Sequence, residues 1–330
     1  MKKSPVDMSY KELDVLLMSL LKEQELPTTI DWKSNSINYQ RRSRIWIYLK
    51  AGSRLLRAMV FYHTYIRRSL HPLKKNKKTF FQLKNTGCIR AIKVYFYLAK
   101  IGLTDMIMQL GGKFDNKLFT NFAIATMLYD ASFDVPAFKK YLRNFDELII
   151  SQQPIKPQDE YLQVFIATVD KIKNSLSSSQ FNDFASYIQI EHISQLMSIY
   201  QLEDKKINKE DLLKISYTKG GISALALIHM MVPQMNPTER RAIYELGSVM
   251  QLIDDISDIE EDLKGGIHTV PNQKLLSFEE FKQLYCGTIN NVISKLNLDP
   301  KTPNGTLDML CWFSDKMLEK RYGRYFQKDN

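Results

Sequence analysis

Cysteine is scarce in this chain of 330 residues: Cys88, Cys286 and Cys311 are the only three, far apart and odd in number. That pattern excludes a disulfide framework and offers no pair at zinc-ligand spacing. A reducing, cytoplasmic setting is the simplest expectation. Glycine (13) and proline (11) are also few, which argues against many short strands and for long helices. No apolar run reaches the roughly 20 residues of a membrane span. The stretch from Ile222 to Val232 is short and carries His229. Met1 to Met18 contains acids and no unbroken apolar centre, so it does not read as a secretory signal. A glycine-rich dinucleotide loop is missing, as are zinc-finger, RNP and basic-zipper patterns. The five histidines (His63, His71, His192, His229, His268) are isolated and form no metal set.

What the chain does have is a 44% hydrophobic content, enough for a sizeable core, and a net charge of +10. Much of the basic excess lies between Arg41 and Lys84, a concentration that suits an anionic partner or a peripheral membrane surface. Apolar residues recur at helical spacing over Met8–Gln24, Arg44–Ser69, Ile89–Leu110, Asn116–Asp134, Pro136–Ile150, Asp159–Leu176, Asn182–Tyr200, Asn208–Met231, Phe278–Leu296 and Leu307–Phe326. One long helix is expected over Thr238–Lys264, stopped by Gly265-Gly266. Period-two alternation is absent. The expectation is an all-α, single-domain helical bundle over 1–330, with a basic helical portion at 1–85.

Two acidic motifs stand out. Asp130 and Asp134 lie four apart at the end of an apolar segment and so share a helix face. The stretch 254–262 carries six acids in nine positions, with Asp254, Asp258 and Asp262 spaced by four on one ridge, Asp255 three before Asp258, and Glu261 beside them. Hard oxygen ligands without His or Cys suit Mg²⁺ or Mn²⁺. Carboxylate clusters facing each other could hold metal ions that neutralise a diphosphate leaving group, with Lys and Arg donors completing the cage. Aromatic faces (candidates are Phe122, Tyr129, Phe133, Tyr217 and Trp312) would stabilise the allylic cation left behind.

The stretch from Glu245 to Asp258 resembles the second aspartate-rich helix of class I isoprenoid synthases. Asp258 to Gly266, followed by Val270-Pro271, is similar to the DxxED stretch of squalene and phytoene synthases, and Asp130 to Asp134 resembles their DxxxD. Tyr217-Thr218-Lys219-Gly220-Gly221 sits where prenyltransferases carry a glycine-kinked helix near the diphosphate. Arg321-Tyr322 resembles the Arg-Tyr pair of terpene cyclases. The resemblance covers residues 115–326 and makes that span the catalytic core. It implies an all-α fold of the isoprenoid synthase type and a prenyl diphosphate substrate. The metal would be a cluster of about three Mg²⁺, held by Asp130, Asp134, Asp254, Asp255, Asp258, Asp262 and Glu261, with Lys219, Arg321 and Tyr322 on the diphosphate. Arg54, Arg57 and Arg324 are further candidates for that contact. The chain departs from elongating synthases in having one aspartate before the first gap and no Gly-Lys-x-x-x-Asp. It also lacks the Arg-x-x-Asp-Asp lead-in of phytoene synthases, and the Asn-Ser-Glu triad of cyclases is replaced by Asp254, Asp258 and Asp262.

Ionisation with cyclisation to a terpene is the reading these residues favour. Head-to-head coupling of two prenyl diphosphates uses the same parts. A basic, non-catalytic helical binding protein is the alternative of another class. It leaves the 254–262 cluster without a role, and no motif supports nucleic acid as the partner. Chain length, product skeleton and oligomeric state are not legible in the sequence.

Overall fold

The computed structural model describes residues 3–29, 65, 67–85, 103–202, 207–232, 234–297 and 305–327. Among them every regular element is helical, and one isolated bridge, Leu202 to Ile267, is the sole β-type pairing. The all-α class expected from the sequence is therefore observed. No helix of the described residues is long and apolar enough to cross a membrane. The helix expected over Arg44–Ser69 lies outside the described residues except near its end, as does most of Ile89–Leu110. Arg54, Arg57 and Cys88 also lie outside them.

Contacts gather the chain into two compact units. One takes the described residues of 43–185 and 230–233. It contains α2 (Lys77–Asn85), α3 (Thr104–Gln109), α4 (Asn116–Asp134), α5 (Leu142–Ile149) and α6 (Glu160–Ser175). Asp115 starts α4 by accepting the Lys117 and Leu118 N–H groups, and Val135-Pro136 ends it. Twelve of its residues are buried, from Leu118 to Ser132, which makes α4 the central helix of this unit. It packs on α6, where the Tyr161 hydroxyl donates to the Leu128 carbonyl. The rings of Phe138, Tyr141 and Tyr161 stack beside that bond at 4.6 and 4.8 Å.

The other unit takes the described residues of 1–42, 186–229 and 234–330. It holds α1 (Tyr10–Glu23), the later part of α7 (Ser178–Ser198), α8 (Lys209–His229), α9 (Pro237–Ser257), α10 (Ile259–Gly265), α11 (Phe278–Lys295), α12 (Gly305–Met317), a π-helical turn (Leu318–Tyr322) and α13 (Gly323–Gln327). Asn236 and Glu239 form a capping box at the start of α9, with Pro237 at the first helical position. Glu245, fully buried, joins α9 to α11 by bonding Arg241 (3.1 Å) and Lys295 (2.6 Å).

The long helix expected over Thr238–Lys264 is in fact two. The break is at Asp258, which has φ −108° and ψ 6° and ends α9 while starting α10. The ridge of Asp254, Asp258 and Asp262 is thus bent, because α10 begins afresh with Glu260, Glu261 and Asp262 in its first turn, where the helix dipole favours acids. Gly266, at φ 64°, ends α10 in the left-handed conformation, as the glycine pair suggested.

The α8–α9 pair is unusually close. A Cβ added to Gly220 would lie 2.4 Å from Gln251 Cβ and 2.5 Å from the Gly247 carbonyl oxygen, and one on Gly247 would lie 2.4 Å from the Gly220 oxygen. Ser248 Oγ lies 2.7 Å from the Tyr217 carbonyl across the pair and 2.8 Å from the Tyr244 carbonyl on its own helix; its single proton serves one at a time. Backbone meets backbone here because neither glycine has a side chain to keep them apart.

Gly220→Ala or Gly247→Ala should therefore lower stability by about 1–3 kcal/mol through overpacking. Gly265→Ala is the control. Its new Cβ meets nothing nearer than Ile267 at 3.4 Å, so it should be neutral or gain up to about 1 kcal/mol. Urea unfolding midpoints of the three variants check this.

Candidate functional site

The carboxylates of the second motif cluster where α9 ends. Asp255 points into the α8–α9 pair. Gln251 Nε2 donates to its Oδ1 (2.9 Å) and Ser216 Oγ to its Oδ2 (3.1 Å). Burial raises its pKa, against the pull of those two donors and of Lys219. Asp254 reaches solvent, yet the protein around it and the charges of Asp258 and Asp255 push its pKa up to about 7, with Lys219 opposing. Burial, followed by the charges of Asp255 and Asp258, likewise pushes Asp262 up to about 7, and Lys219 again pulls the other way. The bend at Asp258 has not separated these groups. Asp262 still feels all three upstream aspartates.

Lys219, on the helix brought close by Gly220, thus acts electrostatically on three of the four aspartates. Asp258 is exposed, and Ser257 Oγ donates to its Oδ1 (2.7 Å). Glu260 and Glu261 are exposed on α10. Asp255, counted among the metal ligands in the sequence reading, accepts one hydrogen bond on each oxygen, from Gln251 and Ser216. Asp254, Asp258 and Asp262 are the carboxylates that the arrangement presents together. Gln251 is legible as a partner, being four residues before Asp255 on one helix. Ser216 is not, since only the α8–α9 packing brings it near.

Arg321 Nη1 donates to the Ser257 carbonyl, beside Asp258. Tyr322, paired with Arg321 as a diphosphate contact in the sequence reading, turns inward. It is fully buried, its hydroxyl donates to the Leu276 carbonyl, and its ring meets Phe281 edge-on at 5.0 Å. Arg324 is exposed. In the other unit, Asp130 is half-buried and Asp134 exposed on the last turns of α4, where Tyr129 and Phe133 pack edge-on at 5.1 Å.

Asp262 stands in the first turn of α10, whereas Asp130, Asp134, Asp254 and Asp255 occupy the C-terminal ends of their helices. Partial negative charge already collects there, so a carboxylate costs roughly 0.3–1 kcal/mol instead of gaining it. Among the described residues no three His, Cys, Asp or Glu side chains converge tightly enough to enclose an ion by themselves. Mg²⁺ does not need them to, because it commonly takes one or two carboxylates and completes its shell with substrate phosphates and water. The donor set fits such an ion: hard oxygens only, with mutual repulsion that a cation would relieve. A groove of about 590 Å³ along the end of α1, lined by Met18, Leu21, Leu26 and Pro27 among others, contains none of these residues. No protein-family model, curated protein or solved structure matches the chain.

The raised carboxyls fix a sign for pH dependence. Between the ordinary carboxylate range near pH 4 and about pH 7 the folded state binds more protons than the unfolded, so these groups' contribution to stability falls as pH rises. Above pH 7 their repulsion is fully felt. Asp254→Asn removes one of the repelling charges. It should raise the melting temperature at pH 8.5, with the gain shrinking as pH approaches 4, as differential scanning fluorimetry across that range can show. A lower melting temperature at pH 8.5 would contradict the repulsion.

Proposed function

We propose that this chain is a Mg²⁺-dependent class I terpene synthase, ionising an allylic prenyl diphosphate at the Asp254–Asp262 carboxylates. The observation that carries the reading is the gathering of Asp254, Asp258 and Asp262 around the α9–α10 joint, with Asp254 and Asp262 held up to about 7 and the charge of Lys219 opposing. A cluster that repels itself at neutral pH is locally unfavourable, and a bound cation supplies the reason to keep it.

Asp254, Asp258 and Asp262 would hold Mg²⁺. The ion supplies charge neutralisation of the diphosphate as it departs. Lys219 offers an ammonium donor on the same side, suited to a phosphate oxygen. Asp255, anchored by Gln251 and Ser216, offsets part of the charge of Lys219. Tyr217, buried on α8 with its hydroxyl pushed up to about 12 by burial, stays neutral. Asp130 and Asp134 form a second carboxylate pair of the same chemistry.

The test is incubation with ten-, fifteen-, twenty- and twenty-five-carbon prenyl diphosphates, with Mg²⁺ and with EDTA, measuring released diphosphate and hydrocarbon products. Diphosphate release that needs Mg²⁺, with a product of unchanged carbon number, is expected from at least one substrate. Asp258→Ala should cut the rate about 100-fold or more while leaving the far-UV circular dichroism unchanged. A product of doubled carbon number would reassign the chemistry to head-to-head coupling. No release from any substrate would sink the reading.

A further inference from the structure

The break at Asp258 raises a question of backbone accounting. In an unbroken helix the Ser257 carbonyl would accept the N–H of Glu261. Here the Glu261 and Asp262 N–H groups both turn to the Asp258 carbonyl, each at 2.9 Å. Ser257 is left as a helix-end carbonyl, and the guanidinium of Arg321 meets it. The same serine holds Asp258 through its side chain, Oγ to Oδ1 at 2.7 Å. A continuous path therefore runs from Arg321 to the Ser257 backbone and on to the Asp258 carboxylate.

The neighbouring residues extend this anchorage. Arg321 and Tyr322 lie in the π-helical turn Leu318–Tyr322, a distortion that shifts register and is often found at functional sites. Arg321 reaches Ser257, and Tyr322, the next residue, turns inward to the Leu276 carbonyl. One turn later the Tyr325 hydroxyl donates to the Asn272 carbonyl (3.1 Å), with Lys274 Nζ 5.0 Å from its ring centre. Asn272 in turn braces the loop after α10, accepting from Thr269 N (2.9 Å) and donating to the Ile267 carbonyl (2.7 Å). Arg321, Tyr322 and Tyr325 thus grip carbonyls at Ser257, Leu276 and Asn272, on both sides of α10.

We propose that residues 318–325 act as a clasp that fixes the α9–α10 joint, with Arg321 a positioning residue that sets the Mg²⁺ affinity of the aspartate cluster through Ser257 and Asp258. The inference rests on the metal-binding reading above. It also makes a prediction opposite to that of simple electrostatics. Removing a positive charge beside a cation site should tighten cation binding by Coulomb's law. Removing a positioning group should weaken it, by about 10-fold for an outer-shell partner.

The experiment uses the full chain as wild type, Arg321→Ala and Tyr325→Phe. The Mg²⁺ concentration that half-saturates the rise in melting temperature is measured for each. Amide hydrogen exchange over 254–276 is followed in EDTA. For Arg321→Ala the expected results are about 10-fold weaker Mg²⁺ binding and faster exchange at 258–263, with α8 unchanged. Tyr325→Phe removes one hydroxyl at a half-buried position and should shift both readouts the same way by a smaller factor, which keeps the test decisive if Arg321→Ala folds poorly. Equal or tighter Mg²⁺ binding in the variants, beside a wild type that responds to Mg²⁺, overturns the clasp and leaves the metal reading standing. A wild type that shows no Mg²⁺ response overturns the metal reading, and the affinity role of Arg321 falls with it. Unchanged exchange over 258–263 would then dispose of the mechanical clasp as well.

Discussion

Everything at the aspartate cluster depends on how closely α8 approaches α9. Carboxylates collected around the α9–α10 joint repel one another, those on the last turn of α9 also oppose its dipole, and the charge of Lys219 relieves them. That lysine acts on Asp254, Asp255 and Asp262 because Gly220 lets its helix lie against Gly247 with no side chain between them. The same approach brings Ser216 to Asp255 and puts Ser248 Oγ on the Tyr217 carbonyl. A wider spacing would remove the counter-charge and the anchor together.

The fold class was legible because it rests on short-range properties: few glycines and prolines, helical periodicity, and stop signals such as Val135-Pro136 and Gly265-Gly266. The acidic cluster was legible for the same reason, since acids spaced by three and four meet on one helix. What could not be read were effects that depend on packing. The break at Asp258 leaves no mark in the residue pattern, because Ser257-Asp258-Ile259 would continue a helix acceptably. The tertiary bond from Arg321 to the Ser257 carbonyl accompanies it. Asp255 stands at ligand spacing, and the donor that reaches it from another helix, Ser216, could not be read beside Gln251. Tyr322 resembled a diphosphate contact beside Arg321, and the π-helical turn sends the two side chains to different places.

The cluster is organised in two tiers. Asp254, Asp258 and Asp262 are presented to their surroundings, while Asp255, Ser216, Gln251, Ser257 and Arg321 hold the backbone and one another. Such a division is expected where a metal or an anion must be met by groups already in position, since disordered ligands would have to be ordered at the moment of binding. Glu245, buried between Arg241 and Lys295, belongs to the second kind. It ties α9 to α11, and loss of both cations would strand a charge in the core.

The contact between Gly220 and Gly247 also bears on how such a chain can change over generations. Each glycine occupies the space that the other's Cβ would need, so neither position can acquire a side chain while the opposite backbone stays in place. A lineage that keeps Lys219 opposite the aspartates must keep both glycines. One that loses either must re-space the two helices, and with them the counter-charge, in a single step. The two positions are therefore expected to be inherited as a pair, together with the lysine and the carboxylates they bring face to face.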